Sequence, residues 1–161
     1  MKRFAILLLM FSAFCCRAQS NAPKPGDPPS KALMAAVLVP FSNGNPDAAA
    51  PFYDKSAKDV FFDAAPLQYQ GWQEYAAGVK QVLAEFSTFK LTLRDDAVVH
   101  SSGSTAWATA TFAMDGKMKN GNKVSQVGRW TCIWQKKGSK WLIVHEHVSF
   151  PWAPETEARQ R

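Results

Sequence analysis

The sequence has little cysteine. It contains three cysteines in 161 residues, and two of them lie within an N-terminal segment that has the pattern of a signal peptide. Only Cys132 would remain after cleavage, which excludes an internal disulfide. We therefore expect the folded state to be stabilised by one hydrophobic core, and a chain of this length is able to bury one.

Apolar runs long enough to cross a bilayer are also lacking. The N-terminal run over residues 4–14 is shorter than the roughly 20 residues that a span requires. It follows two basic residues and precedes Cys16 and Ala18, small residues at the two positions that a signal peptidase reads. The pattern predicts a signal peptide over residues 1–18 and an exported protein, periplasmic or secreted, whose mature form has no membrane span. The alternatives are a short anchor or lipidation at Cys15 or Cys16; a bulky phenylalanine before Cys15 argues against lipidation.

Strong net charge of either sign is absent. Removing Lys2, Arg3 and Arg17 with the signal peptide lowers the formal net charge from +6 to +3. The one local run of lysines, over residues 136–140, falls in a predicted turn and is interpreted as a solvated hairpin tip. No basic stripe is present, so nucleic acid is not an expected partner.

The chain divides by composition into a leader, one domain and a tail. Residues 19–29 combine proline, glycine and polar residues without an apolar period, which predicts a flexible leader. Residues 30–152 form the predicted domain, and the charged residues 153–161 form a loose tail. No internal repeat is visible.

Three helices are predicted in the first half of the domain. Ser30 is suited to cap a short helix over residues 31–39 that Pro40 ends. Asn45, followed by a proline and an acid, begins a second helix that runs to about Ala57. From Trp72 to Phe86, apolar residues recur every three or four positions, which predicts an amphipathic helix with one buried stripe.

The rest of the domain has the period of β-strands. Residues 59–63 form a short strand, with residues 67–70 as its hairpin partner. Glycine-containing turns then separate four longer strands, which predicts an antiparallel meander. The fold class is therefore α+β, with one sheet face buried under the helices. The four longer strands are predicted at 89–100, 104–114, 123–135 and 141–150.

Alternation in the last two strands predicts which side chains point inward. Glu146 is the acid in an otherwise apolar inward set, where an ionised carboxylate is costly unless it is paired or protonated. It marks either a pocket or a buried ion pair with Arg94 or Arg129. The predicted inward residues are Trp130, Cys132, Trp134, Leu142, Val144, Glu146 and Val148.

His145 and His147 lie on the opposite face of the last strand. Two histidines do not make a zinc site, and no further ligand has a familiar spacing, so no metal is expected. With Arg129, Thr131 and Ser149 they are interpreted as a polar outer cluster where a second subunit packs, which predicts a homodimer. Cys132, on the other face, lacks a base and is interpreted as a core residue.

The segment GRWTCIWQKKGSKWLIVHEHVSFPW (Gly128 to Trp152) resembles the C-terminal hairpin of the SnoaL-like branch of the nuclear transport factor 2-like superfamily. It is also similar to the association domain of calcium/calmodulin-dependent protein kinase II. The resemblance implies a cone-shaped domain in which a curved, mainly antiparallel sheet packs on three N-terminal helices. Such a cone opens at one end into an apolar pocket, and the domain is usually dimeric through its sheet.

The resemblance also implies a range of functions, from ketosteroid isomerisation and polyketide cyclisation to structural association. Asp63 matches the general-base position of the isomerase relatives, whereas the first helix lacks their tyrosine. The two pocket arginines of the kinase association domain correspond here to Cys132 and Val148, so anion binding is not expected.

The leading hypothesis is an exported protein that binds a small, largely apolar ligand, without a cofactor, oriented by Asp63 and Glu146. One alternative is an acid/base enzyme of isomerase, cyclase or dehydratase type that uses Asp63 or Glu146. The other is a dimerisation or accessory module without chemistry, built on the outer face. The predicted ligand-binding residues are Phe62, Tyr75, Trp130, Cys132, Trp134, Val144 and Val148.

Overall fold

The structure, a computed structural model, describes residues 22–152. The predicted signal peptide (1–18) and tail (153–161) lie outside the described residues. Part of the predicted leader contacts the domain, since Gly26 forms an isolated bridge to Trp141. No helix among the described residues is long and apolar enough to cross a membrane.

The first helix, α1 (Lys31–Ser42), begins where the sequence predicts. The Ser30 hydroxyl caps it by accepting the Leu33 N–H at 3.1 Å. Its predicted end was wrong, because Pro40 lies inside the helix. Proline removes one N–H in the last turn only, and continuing the helix buries the ring of Phe41.

The second predicted helix is a short 3₁₀ helix, Pro46–Phe52, rather than a helix reaching Ala57. Its seven residues include two prolines, which limit regular backbone hydrogen bonding. The chain then becomes extended at Tyr53, which forms a parallel bridge to Ile143. This early return to extended backbone places Tyr53 against the sheet.

The amphipathic helix α2 (Gly71–Leu83) is confirmed, although it ends three residues before Phe86. Its predicted apolar stripe is buried, except that Val82 is 45% exposed and Phe86, beyond the end of the helix, is half-buried. The buried stripe packs the helix against the sheet and the 3₁₀ helix. Its buried residues are Gly71, Trp72, Tyr75, Ala76, Val79 and Leu83.

The strands are β1 Val60–Phe62, β2 Tyr69–Gln70, β3 Phe86–Leu93, β4 Val98–Ser102, β5 Thr105–Met118, β6 Lys123–Lys137 and β7 Lys140–Ser149. These seven strands form one sheet in the order β2-β1-β7-β6-β5-β3, with β4 also paired to β5. The β1–β2 hairpin is confirmed, and β1 lies parallel to β7, so the sheet is more than a meander. The predicted strand over 89–100 is two strands, which pair with different halves of β5.

A β-bulge interrupts the pairing of β6 with β7. Ile133 pairs with His145 and Trp134 with Ile143, which leaves Val144 as an extra residue. The bulge shifts the alternation by one position, so Ile143 and Glu146 are both buried, at 0% and 2% exposure. The predicted inward orientation of Leu142 and Val144 is therefore wrong, whereas that of Glu146 is correct.

Candidate functional site

A cavity of about 290 Å³ lies between the helices and the sheet. Its volume is at the low end of the about 300–1,000 Å³ that small-molecule sites occupy. The walls come from α1, α2, strands β3, β5, β6 and β7, and residues just after the 3₁₀ helix, β1 and β7, and most of the lining is apolar. The lining residues are Leu38, Phe41, Tyr53, Asp63, Ala64, Tyr75, Val79, Val82, Leu83, Phe86, Phe89, Leu91, Phe112, Met114, Gln126, Trp130, Glu146, Val148 and Phe150.

The solvent-exposed lining residues mark the opening of the cavity. Ala64, Val82 and Gln126 are exposed, whereas Glu146 and Trp130 are only 2% exposed. The cavity therefore runs from an opening between α2 and β6 to a buried wall formed by β6 and β7.

The Glu146 carboxylate accepts hydrogen bonds from three neutral donors. The Tyr53 hydroxyl donates to Oε2 at 3.0 Å, and the Trp130 indole Nε1–H donates to the same oxygen at 3.1 Å. The Tyr75 hydroxyl donates to Oε1. We call Glu146, Tyr53, Tyr75 and Trp130 the carboxylate cluster.

Each donor of the carboxylate cluster is positioned by a different element. Tyr53 is held by its bridge to the bulged part of β7, Tyr75 lies on the buried stripe of α2, and Trp130 pairs across strands with Val148. Burial raises the pKa of Glu146 to about 7, against the lowering effect of the hydrogen bond from Tyr75, and the nearby Asp63 charge raises it further. Glu146 thus titrates close to neutral pH.

The structure does not place Glu146 in a buried ion pair. Its hydrogen-bond partners among the described residues are the three neutral donors. Arg94 and Arg129, the partners considered from the sequence, are both exposed. The ion-pair alternative is therefore wrong, and the carboxylate lies on a cavity wall.

Asp63 follows the last residue of β1 and also lines the cavity. Its Oδ1 accepts the backbone N–H of Ala64 at 2.6 Å. Oδ2 has no hydrogen-bond partner among the residues that the structure describes. Burial raises the pKa of Asp63 above its ordinary value.

Of the residues predicted from the sequence, the structure brings five together in this cavity: Asp63, Tyr75, Trp130, Glu146 and Val148. The other predicted lining residues lie elsewhere, which corrects that expectation. Phe62 packs edge-on against His145 and His147, with ring centroids 5.4 and 5.6 Å apart.

Three further predicted ligand-binding residues lie outside the cavity lining. Val144 is the bulge residue of β7. Cys132 and Trp134 are 0% and 1% exposed and belong to the filled part of the core. Burial also raises the pKa of the Cys132 thiol well above its ordinary value, which keeps it protonated.

Tyr53 and the phenylalanines of the cavity were not identified from the sequence. The first helix lacks a tyrosine, but Tyr53 supplies a hydroxyl from the segment after the 3₁₀ helix. Its position in an irregular stretch has no apolar period that would single it out. The phenylalanines lie in α1, in β3 and β5, and just after β7, at positions that are typical of any core; they are Phe41, Phe86, Phe89, Phe112 and Phe150.

The predicted outer cluster lies on adjacent strands β6 and β7. Thr131 pairs with His147, and Arg129 pairs with Ser149. His147 is exposed, whereas the His145 ring nitrogen Nδ1 lies 2.7 Å from the Val60 carbonyl oxygen. Within residues 22–152 no group of three or more histidine, cysteine, aspartate or glutamate side chains could hold a metal ion.

Comparison with known proteins identifies the family of the domain. The SnoaL-like domain matches residues 31–153. No curated protein matches the chain significantly.

Several solved structures have the same fold. A nuclear transport factor 2-like superfamily protein from Salmonella enterica has a TM-score of 0.68 and 22% identity, covering 75% of this chain and 90% of that one. A candidate dehydratase of the same family from Streptomyces avermitilis has a TM-score of 0.64 and 16% identity, covering 74% and 92%. A candidate calcium/calmodulin-dependent protein kinase II association domain from Xanthomonas campestris has a TM-score of 0.63 and 21% identity, covering 77% and 85%. At these identities the likeness establishes the fold, which confirms the α+β prediction and the resemblance seen in the sequence.

Proposed function

Because the chain belongs to the SnoaL-like domain family, we propose that it binds a small, largely apolar organic molecule in the cavity. The family and fold are typical of ligand-binding domains and of isomerase- or dehydratase-type domains. The observation that supports binding is the cavity, which is mainly apolar and has a few polar groups, at Asp63, around Glu146 and at Gln126. Apolar walls with a few placed polar groups are typical of small-molecule sites.

Calorimetric titration with 2-naphthylmethanol, a neutral two-ring alcohol, tests this proposal. We expect one site per chain and a dissociation constant of about 1–100 μM, which is ordinary for a ligand of this size. Val79→Trp adds bulk to a side chain that lines the cavity, so it should weaken binding at least tenfold. Val98→Trp is the matched control, because Val98 is 47% exposed and lies outside the lining. No binding to the wild-type protein by this alcohol or by charged analogues of the same skeleton, or equal binding to both variants, would refute the proposal.

One observation favours acid/base catalysis as a second function. Asp63 and Glu146 line the same cavity, and the pKa of Glu146, raised by burial, is about 7. A carboxyl group with this pKa can both take and return a proton at neutral pH. As an enzyme, the protein should exchange the α-hydrogens of 2-tetralone with D₂O faster than buffer alone, with a rate that rises through pH 7. Glu146→Gln and Asp63→Asn should reduce the rate, and exchange no faster than in buffer would leave binding as the function.

We further propose that the protein forms a homodimer through the outer face of the sheet, with Arg129, Thr131, His145 and His147 at the contact. Trp107 supports this, because it is 41% exposed and lies in register with Ile133, the cross-strand partner of His145. Apolar surface of this kind favours burial in an interface. Sedimentation equilibrium should give twice the chain mass, and a monomer at high concentration would contradict the proposal.

Export is proposed from the sequence pattern of residues 1–18. The intact mass of the protein recovered from the periplasm or medium should correspond to a chain that begins at Gln19. A full-length mass, or retention in the cytoplasm, would contradict export.

A further inference from the structure

The charge of the cavity is one-sided. Asp63 and Glu146 both line it, and no lysine, arginine or histidine of residues 22–152 does so. Two carboxyl groups that share a poorly solvated space without a counter-ion disfavour ionisation of each other. The cavity therefore lacks a positive charge to balance its two acids, and a cationic ligand could supply that charge.

The hydrogen-bond donors on the buried wall are already engaged. Tyr53, Tyr75 and Trp130 all donate to Glu146. Asp63 has an oxygen, Oδ2, that has no partner within the described part of the chain, and Gln126 lies at the exposed opening. A polar group that enters the cavity thus meets a free acceptor at Asp63 rather than a free donor.

The apolar part of the lining is rich in aromatic rings. Eight of the lining residues carry one: Phe41, Tyr53, Tyr75, Phe86, Phe89, Phe112, Trp130 and Phe150. Faces of such rings attract cations, and the attraction is greater where water is excluded. The same rings pack against an apolar ligand skeleton, so one ligand can use both properties.

We propose that the ligand is a protonated organic amine, with an apolar ring-sized skeleton and an ammonium group that contacts the free Asp63 oxygen near the Glu146 carboxylate. This inference rests on the proposed binding function and names its ligand class. A carboxylate-bearing ligand is disfavoured, because it would add a third negative charge where no cation compensates it. A neutral alcohol can bind, but it leaves the charge of the two acids uncompensated.

Proton linkage supplies a second signature of this ligand. Burial raises the pKa of Asp63 and, to about 7, that of Glu146. A bound cation would favour the ionised carboxylates, so the protein would release protons when an amine binds near pH 6.5. The other titratable groups in the lining, Tyr53 and Tyr75, have pKa values raised well above the ordinary value by burial and stay protonated.

Three ligands of one skeleton test the charge preference: 2-naphthylmethylamine, 2-naphthylmethanol and 2-naphthoate. At pH 7.5 we expect the amine to bind the wild-type protein at least tenfold more tightly than the alcohol, and the carboxylate at least tenfold more weakly. Calorimetry at pH 6.5 in buffers of different ionisation enthalpy should report proton release with the amine only.

Asp63→Asn should reduce the preference for the amine over the alcohol at least fivefold. Asp47→Asn is the matched control, since Asp47 is exposed, pairs with Lys80 and lies outside the lining. It should keep the full preference.

The outcomes separate this inference from the proposed function. Equal affinity for amine and alcohol, or an undiminished preference in Asp63→Asn, overturns the amine assignment while ligand binding stands. Absence of binding by all three compounds overturns the binding function itself. Because the wild-type comparison needs no variant, a poorly folded Asp63→Asn does not remove the test.

Discussion

The buried carboxylates of Glu146 and Asp54 are stabilised in opposite ways. Tyr53 donates to Glu146, whose hydrogen-bond partners in the described part of the chain are all neutral, whereas Asp54, the residue after Tyr53, pairs with Lys137. Burial acts to raise the pKa of Asp54, but hydrogen bonds from Lys137 and the Lys55 backbone hold it below the ordinary value. Burial raises the pKa of Glu146 to about 7. The Lys137 cation neutralises the charge of Asp54 within the protein. The carboxylate of Glu146 lies on the wall of a cavity, where a bound ligand could supply the opposite charge.

A third acid, Asp59, lies close to Asp54 and has a raised pKa. Asp59 has a buried oxygen, Oδ2, without a hydrogen-bond partner among the described residues. Burial and the adjacent Asp54 raise the pKa of Asp59 to about 6. The Lys137 charge opposes this rise in pKa, so the Asp54–Asp59 pair has a cation nearby. No lysine, arginine or histidine of residues 22–152 lines the cavity beside Asp63 and Glu146.

The largest expected effect comes from removing the acceptor of the carboxylate cluster. Glu146→Leu leaves three buried donors without a partner, at about 1–3 kcal/mol each, so we expect a loss of ~4 kcal/mol in the free energy of unfolding. Glu146→Gln should cost less than half as much, because its amide oxygen can accept from Tyr53 and Trp130. Asp54→Ala should cost about 1–2 kcal/mol, since the Lys137 side chain is 42% exposed and regains water. Urea unfolding measures all three, and equal costs for Glu146→Leu and Asp54→Ala would break the comparison.

A smaller effect is expected in the pH dependence of stability. The pKa of Glu146 is 4.5 ordinarily and, because of burial, about 7 in the folded protein. Between these values the folded state binds a proton that the unfolded state lacks, so stability falls by up to ~3 kcal/mol as pH rises from about 4.5 through 7. Asp54 acts in the opposite sense, since its contribution is lost as pH falls below the ordinary value of 3.8.

Glu146→Gln isolates the contribution of Glu146 to this pH dependence. The difference in unfolding free energy between wild type and variant should change by ~3 kcal/mol between pH 4.5 and pH 8, in favour of the variant at high pH. Urea titrations at the two pH values measure it. A constant difference would mean that Glu146 ionises in the folded protein as it does in the unfolded one.

The smallest effect is expected at Lys137. Lys137→Met should raise the pKa of Asp54 by removing the pairing cation and should destabilise the fold by ~1 kcal/mol at neutral pH, because partly exposed ion pairs contribute little. Affinity for 2-naphthylmethylamine should stay unchanged, since Lys137 lies outside the cavity lining. Lys136→Met is the control for loss of one surface charge. A change in amine affinity in Lys137→Met alone would show that the two carboxylate sites are coupled.

Much of the fold could be predicted because its signals are local. The buried stripe of α2, the Ser30 cap and the turns between the long strands depend on residues close together in the chain. The helix ends were less predictable. Pro40 was tolerated inside α1 because burial of Phe41 offsets the loss of one backbone hydrogen bond.

The candidate site was only partly predictable. Alternation along β6 and β7 indicated that Trp130, Glu146 and Val148 point inward, and they do line the cavity. The same alternation misplaced Val144, since a bulge adds a residue without any clear mark in the sequence. Tyr53 was missed because it contacts Glu146 across 93 residues of chain.

The sequence by itself determined the fold class, the order of the elements, the family and the presence of an inward-facing acid on the last strand. The fold class, the order of the elements and the inward-facing acid follow from hydrophobic periodicity and turn residues, which act over a few positions. The family was indicated by the resemblance of the segment from Gly128 to Trp152. Only the tertiary structure decided that Glu146 has neutral donors instead of an arginine, that Asp63 faces the same cavity, and that Asp54 has a cation of its own. The cavity and the charges around each acid depend on side chains that come from distant segments of the chain. A local sequence pattern does not predict which of these segments come into contact.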